Sequence, residues 1–125
     1  LYQDPYQYFG MLGNEMHRAI RLVVDTGIHA FGWSREKAIK YSLDNEAESE
    51  ASITSEIERY MAMPGQALSY KIGQLKILEL RKYSEETLGD DFSVKEFHNI
   101  MLQPGCVPLD ILDKIIKEWT DSKLH

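Results

Sequence analysis

No run of about 20 apolar residues occurs in the 125-residue sequence, so no segment is suited to cross a bilayer as a helix. A single cysteine, Cys106, excludes an intrachain disulfide framework and a cysteine-based zinc module. Its Pro-Gly-Cys-Val-Pro turn offers no activating base, and the residue reads as structural. Basic residues are few: 14 Lys and Arg stand against 20 Asp and Glu, a formal net charge of −6. An acidic chain without a basic cluster is poorly suited to nucleic acid or anionic lipid. The four histidines (His17, His29, His98, His125) lack metal-ligand spacing, so this chain is expected to hold no metal. Nor is there a Gly-rich phosphate loop, a nucleophile elbow or a His-Glu-x-x-His. Neither end carries a readable address: no apolar h-region follows Leu1, and His125 follows the terminal Ser-Lys-Leu. The chain reads as a piece of a longer protein.

What is present, 43% hydrophobic and 10% aromatic residues, suffices for one unit with a modest core. Pro, Gly and Ser punctuate it into five to six helical segments without a convincing strand pair, an all-α bundle treated as a single unit over 1–125. Asp4-Pro5 is a cap followed by a favourable first helical residue, and Gly32 a stop, which predicts a first helix over about 5–31. Three glycines inside it (Gly10, Gly13, Gly27) each cost about 1 kcal/mol relative to Ala and imply close approach of a neighbouring helix. Ser34 caps a second helix to about 43, and the acidic stretch 44–50 reads as a solvated surface. A third helix over about 51–63 ends at Pro64-Gly65, and a fourth runs from 66 to about 87. Ser93 and Glu96 form a capping box for a fifth. Pro108 opens a last amphipathic helix carrying Leu112, Ile116 and Trp119.

Two places are unusual. At about 100° per residue, Asn14, Arg18, Arg21, Asp25 and His29 fall on one polar line of the first helix. Most of the remaining girth is apolar, which predicts a buried helix, and buried ionisable groups need partners. The line is either an Arg–Asp–His network tying helices together or a cavity wall presenting two guanidiniums and an imidazole to an anionic ligand. His29 is then a general acid, a donor to an oxyanion or a satisfied core histidine. The second place is the segment from Met63-Pro64-Gly65-Gln66 to Tyr70-Lys71-Ile72-Gly73. A glycine one turn after Tyr70 leaves room beside the hydroxyl, and Tyr as a proton donor or oxyanion stabiliser has chemical precedent. The alternative is tight packing at Gly73 with Tyr70 on a backbone carbonyl. Gln66 shares that face, whereas Lys71 lies among Leu68, Leu75 and Leu78, where it can snorkel.

Two segments together resemble a known family. Arg18-Ala19-Ile20-Arg21-Leu22-Val23-Val24-Asp25-Thr26-Gly27-Ile28-His29-Ala30, continued by Gly32-Trp33-Ser34-Arg35-Glu36, is similar to the late signature of the bacterial domain of unknown function 885. Arg59-Tyr60 through Pro64-Gly65-Gln66-Ala67-Leu68 and Tyr70-Lys71-Ile72-Gly73 resembles that family's other late motif, and Tyr2-Gln3-Asp4-Pro5-Tyr6 also fits. The resemblance implies the C-terminal part of a helical, zinc-dependent metallopeptidase of the gluzincin type. The metal motif and a Glu-Gly-Trp segment would precede Leu1, so zinc belongs to the parent protein. By that resemblance His29 and Tyr70 are catalytic donors to an oxyanion or substrate. Arg18 or Arg21 anchors a substrate carboxylate, and Asp25 orients a neighbour; Gln66 and Lys71 complete the substrate-binding set. The expected partners are the N-terminal remainder of the parent and a peptide-like substrate. An apolar surface left open on the first helix would favour a homodimer. The resemblance also suggests an exported, periplasmic or lipid-anchored parent. The rival reading is a non-catalytic structural or interaction module.

Overall fold

The side chain of Asp4 accepts the Tyr6 amide at 2.8 Å, and with Pro5 it opens α1 (Pro5–Phe31) in the computed structural model, which describes residues 2–124. Gly32 closes the helix in the left-handed region at φ 64°, where a side chain would be strained. Ser34 caps α2 (Arg35–Asn45) and Ser49 caps α3 (Glu50–Ala62), each accepting the amide three residues on at 3.2 Å. Pro64-Gly65 turns the chain, with Gly65 at φ 81°. The first turn beyond it, Gln66–Leu68, is 3₁₀, so the fourth helix of the sequence reading divides into that turn and α4 (Ser69–Leu88). α5 (Val94–Leu102) and α6 (Leu109–Lys123) follow, and the described residues contain no strand. The all-α expectation holds.

Residues up to Ile72 form one compact unit and residues from Gly73 onward a second, the division falling inside α4. In the first, Ile20 and Val24 of α1 pack with Ala38 of α2, Ile53, Ile57 and Tyr60 of α3, and Ala67. Trp33 lies against this cluster, and a Cβ added at Gly27 would stand 2.5 Å from its indole. In the second, Leu80, Phe97, Leu112 and Ile116 form the core, with Trp119 packed against it.

Four expectations need correction. α1 is not buried around its girth: Phe9 is 71% exposed, and Leu12, Met16 and Val23 are also open. The elements packed on it (α2, α3 and the 3₁₀ turn) cover only the side that carries Ile20, Arg21, Val24 and Asp25. Gly27 alone meets a neighbour, whereas a Cβ at Gly10 or Gly13 would enter open space. The capping box is half made: Ser93 accepts the Glu96 amide, but the Glu96 carboxylate turns to Lys123 Nζ at 2.8 Å. Cys106 is exposed rather than packed.

Candidate functional site

A cleft of about 530 Å³ opens along the N-terminal half of α1. Asn14, His17, Arg18 and Arg21 line it from α1, where offsets of three, four and seven residues place them on one face. Gly10 and Gly13 leave it space at one end. The end of α2 contributes Ser42 and Glu46, the connecting segment Glu48, and α3 Ser52, Glu56 and Tyr60.

The two arginines are held by aromatic faces rather than by acids. Arg18 lies 4.3 Å from the Tyr70 ring centroid, and Arg21 lies 4.5 Å from Tyr70 and 5.2 Å from Tyr60. Stacking keeps a guanidinium planar and in place while leaving its edge free for an anion. Arg21 is only 3% exposed, and its Nη2 donates to Gln66 Oε1 at 3.1 Å. Its Nε is buried and has no hydrogen-bond partner. Among the described residues neither guanidinium has a carboxylate at ion-pair distance. A buried donor left unanswered is costly in a folded chain and marks a place where a ligand oxygen or water belongs.

The remaining candidates bond to other parts of the protein. The carboxylate of Asp25, 2% exposed, accepts the Gly65 amide at 3.1 and 3.2 Å, fixing the turn before Gln66. His29 Nε2 donates to the Tyr60 carbonyl at 2.9 Å. Gln66 Oε1 is shared between Arg21 and Arg59, whose Nη1 donates to it at 2.8 Å. Lys71 pairs with Glu15 at 2.8 Å instead of snorkelling along an apolar face. Thus Arg18 and Arg21 line the cleft and Tyr70 stacks on both, whereas Asp25, His29, Gln66 and Lys71 bind elements around it.

Sequence reasoning missed two groups. Glu46 is not part of a solvated surface: its side chain is 6% exposed and accepts from His17 Nδ1 at 2.6 Å. On α3, Glu56 receives Arg59 at 2.6 and 3.0 Å and the Tyr60 hydroxyl at 2.8 Å. The Arg59 guanidinium is the main reason its carboxyl is held down to about 2, against some opposition from desolvation. Burial, more than the bond to Glu56, pushes the Tyr60 phenol well above its ordinary range. Tyr60 therefore stays a neutral donor at any ordinary pH. The only sequence signal for the first pair was His17 standing one turn before Arg21.

Residues 1–116 match the family model described as bacterial protein of unknown function (DUF885). The chain belongs to the DUF885 family. The DUF885 chain is also similar to a solved structure described as "putative lipoprotein from Colwellia psychrerythraea", with 48% identity and a TM-score of 0.94. The match covers 96% of this DUF885 chain and 20% of the solved one. The present sequence thus spans about a fifth of that neighbour. No curated protein matches it. No helix among the described residues is long and apolar enough to cross a membrane. The described residues also bring together no three His, Cys, Asp or Glu side chains able to hold a metal ion.

Proposed function

We propose that this chain is the substrate-binding wall of a longer, exported hydrolase that acts on peptides or related amides, with a carboxylate of the substrate resting on Arg18 and Arg21. The observation that supports this most is the pair of guanidiniums, stacked on tyrosines beside an open cleft, neither with a carboxylate at ion-pair distance among the described residues. Tyr70 is the proposed donor to the oxyanion, 47% exposed beside both arginines. Asp25, His29, Gln66 and Lys71 hold this wall in register, His29 through the carbonyl of the stacking Tyr60. Zinc, if the longer protein uses it, would be held by residues outside this chain, and nothing proposed here depends on its placement. The open stripe of Phe9, Leu12, Met16 and Val23 is where the remainder of the longer protein would pack, in keeping with a neighbour about five times as long. A lipoprotein-like, exported location is proposed on that neighbour's description.

The test belongs to the longer protein. Tyr70→Phe should lower kcat by about 100-fold with folding intact. Arg18→Ala should raise KM for acid-ended peptides and leave their amides unaffected. Unchanged turnover in both variants removes them from the site. The second reading, a structural or interaction module, is favoured by the inward bonds of Asp25 and His29. It predicts that Arg18→Ala shifts stability and no ligand response.

A further inference from the structure

His17 and Glu46 take no part in the wall described above, yet both line the same cleft. Glu46 ends α2 as its C-cap, its side chain nearly sealed, with Oε2 2.6 Å from His17 Nδ1. A carboxylate only accepts, so Nδ1 carries the bridging proton and the neutral ring keeps its lone pair on Nε2. Nε2 has no hydrogen bond among the described residues, unlike that of His29. One turn further along α1 stands Arg21 with its unanswered Nε.

We propose that His17, oriented by Glu46, is a proton-transfer residue acting on the carboxylate-bearing ligand of this cleft. The inference rests on the reading of Arg18 and Arg21 as the anion-holding wall. Nε2 accepts a proton from an O–H of the ligand or of a water beside it. The new N–H bond forms as the O–H bond breaks, and the bonding pair stays on oxygen. The ring becomes imidazolium with its other N–H already on the Glu46 carboxylate, so the new charge is answered where it arises. Return of that proton to water or to a leaving group restores the ring, and no oxidant or metal is needed. Arg18 and Arg21 on α1 oppose the charged ring, whereas Glu46, Glu48 and Glu56 on the facing elements favour it.

Diethyl pyrocarbonate, which acylates an unprotonated ring nitrogen, tests this on the chain itself, with N-acetylglycine as the carboxylate probe and NMR of the arginine side chains as a parallel readout. His17 should show the Nδ1–H tautomer and be acylated at Nε2. With the probe at about ten times its dissociation constant, that rate should fall about tenfold while exposed His98 is unaffected. Failure of His17 to react without the probe overturns the proposal. Arginine signals that move while the His17 rate stays constant overturn the proton-transfer role and leave the anion wall standing. Signals that move nowhere remove the wall and the proposal together.

Discussion

Gly27 and Asp25 show how much of this site is decided atom by atom. The indole of Trp33 occupies the place of a Gly27 side chain, so Gly27→Ala should destabilise the chain by about 1–3 kcal/mol through overpacking. A urea midpoint unchanged by that substitution contradicts the packing. Asp25→Ala leaves the Gly65 amide without its acceptor, with an expected loss of about 1–3 kcal/mol in the same measurement. The sequence showed that Arg18, Arg21, Asp25 and His29 share a line, because helical spacing is arithmetic. It did not show which of them face a cleft. Asp25 finds its partner 40 residues away, and Arg21 its stacking rings on two other elements, and neither follows from spacing.

The helices were legible where a chemical signal marks their ends: Asp4-Pro5, Ser34 and Ser93 all cap as read, and Gly32 stops α1. Two signals misled for physical reasons. Glu96 had a competing cation in Lys123, and Glu46 was hidden in an acidic run whose other members are mostly exposed. α3 makes its own prediction. Glu56 is held at about 2, below its ordinary 4.5, so its contribution to stability is present above about 4.5. It is lost as pH falls through 2, when the carboxylate that Arg59 and Tyr60 hold is protonated. Urea midpoints across that window should fall more steeply for the wild-type chain than for Glu56→Gln. Parallel profiles would show that the pair contributes nothing to folding.

At the scale of the molecule, one stripe of α1 shows apolar side chains to solvent, and the chain spans a fifth of a structural neighbour. Taken alone, it is expected to self-associate through Phe9, Leu12, Met16 and Val23. Sedimentation equilibrium should give a mass that rises with concentration and returns to the monomer in Leu12→Glu. A concentration-independent mass in the wild-type chain contradicts this. The sequence could not reveal that openness, since a residue pattern records which face is apolar and not whether anything covers it. The central claim is that Arg18 and Arg21 form a wall for a carboxylate, and calorimetric titration tests it most directly. N-acetylglycine should bind the chain, N-acetylglycinamide should not, and Arg18→Ala should weaken the acid by about tenfold or more. Equal heats from acid and amide, or an acid affinity untouched in Arg18→Ala, would contradict the account.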